Sequence, residues 1–195
     1  MPTLYHAPMS RSDTIVTLIR MMGLADRIAL REVEIPRRDG TGRRDPANPH
    51  PEGKVPFLVD GEDRVRERGA IILWLTDRFG DERLGRPIGH AQRGAYLSWL
   101  FYYQGVMEPV LILDFAKLSH PALQASLGDR DRIFAQLETA MARGPFLLGD
   151  AFSAADLLCC SPFLFFGDAM PTTPAIGAWV ARCRDAIGEA SVTPR

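Results

Sequence analysis

Two short stretches of this chain carry residue types that can hold a ligand's charged or nucleophilic groups. Ser10-Arg11-Ser12-Asp13 lies where a short apolar run ends and a helical pattern begins. The unpaired N–H groups and the positive end of a helix dipole gather at such a junction. An anion fits there, and a serine hydroxyl in the same turn can donate a hydrogen bond to a thiolate. The competing role is simpler: Ser12 or Asp13 is only the N-cap of the helix. Gly53-Lys54-Val55-Pro56 opens a second apolar run. A proline at a strand start has no N–H, which leaves the neighbouring backbone free to pair with something else. If Val55-Pro56 is cis, the N–H and C=O of Val55 face a ligand. From spacing alone the ordinary trans bond is the commoner outcome, since about one X-Pro bond in twenty is cis.

The remaining chemistry-bearing residues point mostly to structure. In Phe152-Ser153-Ala154-Ala155-Asp156, Ser153 can accept from the Asp156 N–H while Asp156 reaches back to the Ser153 N–H, a capping box that starts a helix. His6, His50, His90 and His120 show neither i, i+4 pairing nor HExxH, so no metal site is expected. Cys159, Cys160 and Cys183 make no CxxC pair, and an odd count argues against a disulfide framework, which suits a reducing compartment. GxGxxG, GxxxxGK[ST] and GxSxG are absent, so nucleotide binding and serine hydrolysis lose their usual support.

These residues sit in a chain whose period changes repeatedly over its first 80 residues. Thr3 to His6 suits a strand, and Ser12 to Met22 a helix with Gly23 as its stop. Ile28 to Ile35 alternates like a strand, and the polar loop Pro36 to Glu52 has room for one short helix. Val55 to Val59, the turn Gly61-Glu62-Asp63 and a strand centred on Val65 make a hairpin, followed by a helix over Ala70 to Phe79. Beyond Gly80 every pattern is helical: Ala91 to Leu118, Leu123 to Ala142 and Ala175 to Ile187. The expected division is a mixed module over 1–79, a Gly/Pro-rich linker over 80–88 and an all-helical module over 89–195.

Bulk properties close off other classes. The 195 residues are 46% hydrophobic and 24% charged, as in ordinary globular proteins, with a net charge of -1. That balance argues against a polyanion binder, so no nucleic-acid partner is expected. His6, Arg11 and Asp13 interrupt the N-terminus before a signal-like apolar stretch forms, and no run reaches membrane-spanning length. The expected location is cytoplasmic, with no membrane partner.

Leu4-Tyr5-His6-Ala7-Pro8-Met9-Ser10, Asn48-Pro49, Gly53 to Leu58, Glu67 with Ala70 to Leu75, and Gly149 to Asp156 together resemble the cytosolic glutathione transferase superfamily, its bacterial members above all. The resemblance runs nearly end to end and rests on the order of the motifs. It implies a thioredoxin-like βαβαββα domain followed by an all-helical domain, usually in a homodimer. It implies glutathione as co-substrate, no metal, and addition of the thiolate to a small hydrophobic electrophile. Peroxide reduction, isomerisation or dehalogenation at the same thiolate, or binding without turnover, are the alternatives. Residue by residue, Val55 before a cis Pro56 would pair with the cysteinyl backbone of glutathione and Lys54 would meet the glycyl carboxylate. Glu67 would hold the γ-glutamyl ammonium, and Ser10, with Ser12 as second candidate, would stabilise the thiolate. The electrophile pocket would draw on the long helix, with Tyr102, Tyr103 and Met107 as candidates, although by residue type such side chains on a helix are more often core or subunit interface. Arg68 departs from the family, which usually has serine there. Its guanidinium is expected on the γ-glutamyl carboxylate, the other outcome being a pair with Glu67.

Overall fold

The computed structural model describes residues 1–188; the last seven positions of the expected helical module lie outside them. Strand β1 (Thr3–His6) runs into helix α1 (Asp13–Met21), whose residues from Thr14 to Ile19 are all buried. Gly23, at φ 67°, ends that helix in the left-handed conformation that glycine adopts without steric cost. Strand β2 (Ala29–Glu32) then pairs parallel to β1. Strands β3 (Phe57–Asp60) and β4 (Asp63–Arg66) form the expected hairpin, with β3 antiparallel to β1, and the sheet order is β2-β1-β3-β4. Helix α2 (Arg68–Phe79) follows β4 directly. This is a thioredoxin-like layer of mixed sheet and helices.

One element differs from the implied βαβαββα order. The chain from Val33 to Pro56 crosses from β2 to β3 through turns, without a helix. Its prolines at 36, 46, 49 and 51 and its glycines at 40, 42 and 53 interrupt any continuous run of helical N–H donors.

The second part is helical: α3 (Arg93–Tyr102), α4 (Glu108–Phe115), α5 (Pro121–Leu127), α6 (Arg130–Met141), α7 (Ala154–Phe166) and α8 (Pro174–Ile187). The pattern over Ala91 to Leu118 is not one regular helix. A π-helical stretch, Tyr103–Met107, joins α3 to α4 just ahead of Pro109, where the missing proline N–H and the bulk of its ring disfavour a regular α-turn. The pattern over Leu123 to Ala142 is likewise broken, at Gly128 (φ 81°), after which Asp129 caps α6 by accepting from the Arg132 N–H at 3.0 Å.

Helix α7 is the centre of the helical part, and Ala154 to Cys160 on it are all buried. Its capping box forms as expected from Ser153 and Asp156. The Asp156 carboxylate does more than cap: Oδ2 accepts from the Ser153 N–H (3.0 Å) and Oγ (2.9 Å), and Oδ1 accepts from the Leu147 N–H (2.8 Å) and the Trp179 indole N–H (3.0 Å). The apolar core is continuous from Leu4 and Ile15 in the sheet layer to Leu158 and Trp179 in the helices. The start of α2 therefore rests against a packed wall of helices.

Candidate functional site

The strand register brings the chemistry-bearing segments to one edge of the sheet. Tyr5 lies opposite Phe57, and Phe57 lies opposite Arg66. The end of β1, the start of β3 and the end of β4 are thus neighbours. The chain segments attached there are the Ala7–Ser12 turn, Val55-Pro56 and Glu67-Arg68.

The two serines of the first turn have different surroundings. Ser12 is fully buried, and its hydroxyl both accepts from the Ala7 N–H (3.1 Å) and donates to the Ala7 carbonyl (3.0 Å), which locks the turn. Ser10 is half-buried. Its Oγ donates to the Ala7 carbonyl at 2.7 Å, lies 2.8 Å from Ser12 Oγ and accepts from the Ser12 N–H at 3.1 Å. Of the two, Ser10 has the hydroxyl that a side-chain rotation can turn toward a ligand. Arg37 fastens the same turn from outside, donating to the carbonyls of Pro8 (2.8 Å) and Met9 (3.2 Å), and Met9 takes a positive φ of 57°.

The Val55-Pro56 bond is cis. The loop before it is held by a relay of hydrogen bonds: Asn48 Nδ2 donates to the Lys54 carbonyl (3.1 Å), the His50 N–H to Asn48 Oδ1 (3.0 Å), and the Glu52 N–H to His50 Nδ1 (3.0 Å). The His50 ring packs edge-on against Phe57 with centroids 5.0 Å apart. Accepting at Nδ1 requires neutral imidazole, and burial pushes the His50 pKa down. Lys54 is exposed and ion-paired to Glu52.

Glu67 precedes α2 at φ 69°, ψ 129°, a conformation sparsely populated by residues with a side chain, and Gln104 Nε2 donates to its carboxylate at 3.1 Å. Such backbone outliers concentrate at functional sites. Gly69 follows because a Cβ there would meet the Leu100 carbonyl of α3 at 3.3 Å.

Arg68 does not pair with Glu67. Its guanidinium turns into the junction between sheet layer and helices: Nη2 donates to Tyr103 Oη (2.6 Å) and Glu108 Oε1 (2.7 Å), and Nη1 to Ser161 Oγ (3.0 Å) and Thr14 Oγ1 (3.3 Å). It also lies over the Tyr103 ring at 4.8 Å. Glu108 Oε1 accepts a second guanidinium, Arg11 Nε, at 2.6 Å. Arg68 is 4% exposed, its Nε is a buried donor with no hydrogen-bond partner among the described residues, and its backbone N–H lies at the start of α2.

Of the expected pocket residues, Tyr103 and Met107 are buried in the core and Tyr102 is half-buried, edge-on to Trp99. Burial of Tyr103 and Met107 follows from the π-helical stretch that carries them. The exposed apolar side chains near the turn are others. Glu108, Ile112 and Phe115 share one face of α4 by their spacing. Phe115 stacks on Phe166 of α7 (5.8 Å), Phe166 meets Phe165 (5.1 Å), and Arg38 lies over Phe115 at 4.8 Å. In the sequence Phe165 and Phe166 close the apolar run from Leu157, which reads as core, so no signal there marks them as exposed. Among the described residues no group of three or more metal-ligating side chains forms.

Residues 4–83 match the family model for the glutathione S-transferase N-terminal domain. A glutathione S-transferase of Arabidopsis thaliana is 29% identical over 120 residues, covering 55% of each chain. The disulfide-bond oxidoreductase YfcG of Escherichia coli is 30% identical over 124 residues, covering 56% of this chain and 55% of its own. These matches span about half the length of the relatives. The crystal structure of a glutathione transferase from Methylococcus capsulatus superposes with a TM-score of 0.76 at 26% identity, covering 98% of this chain and 97% of the other. Residues 4–83 are thus similar to a glutathione S-transferase N-terminal domain, and the whole chain shares the fold of a glutathione transferase.

Proposed function

We propose that the protein binds glutathione at this sheet edge, as thiolate, and adds it to a small hydrophobic electrophile. The observation that carries the proposal is the convergence of Ser10, the cis Val55-Pro56 peptide and the strained Glu67 on one edge. In this reading the Val55 backbone pairs with the cysteinyl backbone, and Pro56 holds it outward. Lys54 approaches the glycyl carboxylate. Glu67, steadied by Gln104, holds the γ-glutamyl ammonium. The Arg68 N–H, at the positive end of α2, receives the γ-glutamyl carboxylate in place of the guanidinium.

Ser10 Oγ donates to the sulfur. That bond favours the ionised form and lowers the thiol pKa from about 8.5. The thiolate then attacks the electrophile beside the turn. A homodimer, a cytoplasmic location and the division at 79 and 89 belong to the same proposal. Among the described residues no helix is long and apolar enough to cross a membrane.

Binding without turnover is the reading of another class; the bonds of the Arg68 guanidinium to Glu108 and Tyr103, which turn it away from Glu67, support turnover over it. The similarity to YfcG favours glutathione-dependent disulfide reduction as a second reading. Calorimetric titration with glutathione, followed by parallel assays with a chlorodinitrobenzene and a small disulfide, separates the readings. One site per chain with conjugation faster than the uncatalysed rate is expected; absence of binding overturns both.

A further inference from the structure

The π-helical stretch between α3 and α4 sends two consecutive side chains to the start of α2. Tyr103 Oη meets the Arg68 guanidinium at 2.6 Å, and Gln104 Nε2 donates to Glu67 Oε2 at 3.1 Å. Irregular turns of this kind are frequent at functional sites. Gly69 permits the approach, since a Cβ there would lie 3.3 Å from Gln104 Cγ. Glu67 is exposed, and its carboxylate makes no ion pair among the described residues. Arg11, whose charge Glu67 feels, is bonded to Glu108.

The contact with Glu67 fixes which way the Gln104 carboxamide faces. A carboxylate only accepts, so the amide turns its NH2 toward Glu67 and its oxygen the other way. There Gln104 Oε1 is buried and has no hydrogen-bond partner among the described residues. A buried acceptor without a donor is destabilising. A half-turn about the terminal side-chain torsion, which is broad and nearly two-fold, exchanges the two ends of the amide without moving the backbone. A primary ammonium gives Glu67 a reason to release the NH2, because it is cationic and brings three donors of its own. With an ammonium on Glu67, the carboxamide oxygen turned outward becomes its second acceptor.

We propose that Gln104 recognises the ligand's primary ammonium together with Glu67, changing from a donor to the carboxylate into an acceptor from the ligand, and so makes a free γ-glutamyl amine a condition of tight binding. The inference rests on the proposed placement of the γ-glutamyl end at Glu67. It selects γ-glutamyl thiols with a free amine over thiols whose amine is absent or acylated. Gln104 belongs to the helical part of the same chain, so the amine is held between that part and the sheet layer.

The test is calorimetric titration with S-methylglutathione and with its analogue in which glutaryl replaces γ-glutamyl, which removes the amine and nothing else. Neither compound has a thiol to ionise, so the γ-glutamyl end is measured by itself. We expect wild type to prefer the amine about a hundredfold, Gln104→Met to lower that ratio about tenfold, and affinity for the glutaryl compound to change less than about twofold. Gln104→Glu keeps an acceptor and loses the donor to Glu67, and it should keep the wild-type ratio or raise it. A ratio unchanged in Gln104→Met, or one lost equally in Gln104→Glu, overturns the inference; the second result would leave Gln104 as a support for Glu67 only. In wild type, whatever the variants' folding, the Gln104 side-chain amide resonances should shift with S-methylglutathione and stay in place with the glutaryl compound. Equal shifts, or no binding of either compound, contradict the inference. Preference for the amine without conjugation by glutathione counts against the transferase reading alone, and conjugation without the preference counts against Gln104 alone.

Discussion

Arg68 Nη2 donates to Glu108 Oε1 at 2.7 Å, joining the first residue of α2 to the first residue of α4 across forty positions of sequence. Because the same carboxylate oxygen accepts from Arg11, the Glu108 side chain ties the first turn, the start of α2 and the helical wall together. In the proposed site Arg68, where the resemblance leads one to expect serine, meets Glu108 and Tyr103 with its guanidinium and leaves its backbone N–H for the ligand.

Arg68→Ser should therefore act on stability before it acts on binding. It removes one partner each from Tyr103, which keeps Ser161, and from Glu108, which keeps Arg11, so we expect a loss of about 2–4 kcal/mol in urea denaturation. Glutathione affinity per folded molecule should change by less than about threefold, since the backbone N–H remains. A stable variant with sharply altered affinity would place the guanidinium on the ligand after all.

The two serines should separate by phenotype. Ser10→Ala should lower turnover at neutral pH about tenfold or more, with a smaller effect on the glutathione KM, because the hydrogen bond matters to the ionised sulfur. Ser12→Ala should instead cost about 1–2 kcal/mol of stability by removing both bonds to Ala7. Steady-state kinetics and denaturation on both variants decide; the reversed pattern moves the catalytic role to Ser12.

Asp156→Ala should destabilise the protein by about 3 kcal/mol, beyond a cap alone, because four buried donors lose their acceptor. Activity per folded molecule should stay near normal. Thermal unfolding and an active-site titration check both halves.

His50 gives the loop before Pro56 a pH dependence. Burial lowers its folded pKa below the unfolded value of about 6.5, so the unfolded chain takes up the proton first. The stability it contributes is fully present above about pH 6.5 and is lost as pH falls toward the folded pKa. Denaturation midpoints measured from pH 7.5 down to about 5 should fall more steeply for wild type than for His50→Gln. Equal slopes would show that His50 does not govern this loop.

Much of this was legible in the sequence because it depends on near neighbours. The strand Thr3–His6, the stop at Gly23, the hairpin around Gly61 and the Ser153–Asp156 box are local signals, and each appears where its residues place it. The fate of Arg68 was not legible, because its partners Thr14, Tyr103, Glu108 and Ser161 lie 35 to 93 residues away and meet only when α2, α4 and α7 pack. Tyr103 and Met107 lie in the core, the commoner place for such side chains on a long helix, and the π-helical stretch before Pro109 carries both. Phe115 and Phe166 became a candidate surface only through their stacking in space.

The most direct measurement is an ultraviolet titration of the glutathione thiolate in complex with the wild-type protein. We expect thiolate absorbance to appear at neutral pH, with half-ionisation well below the free thiol's value of about 8.5, and to return toward that value in Ser10→Ala. Absence of any bound thiolate signal, or ionisation at the free value in the saturated complex, would contradict a site built to hold glutathione as its anion.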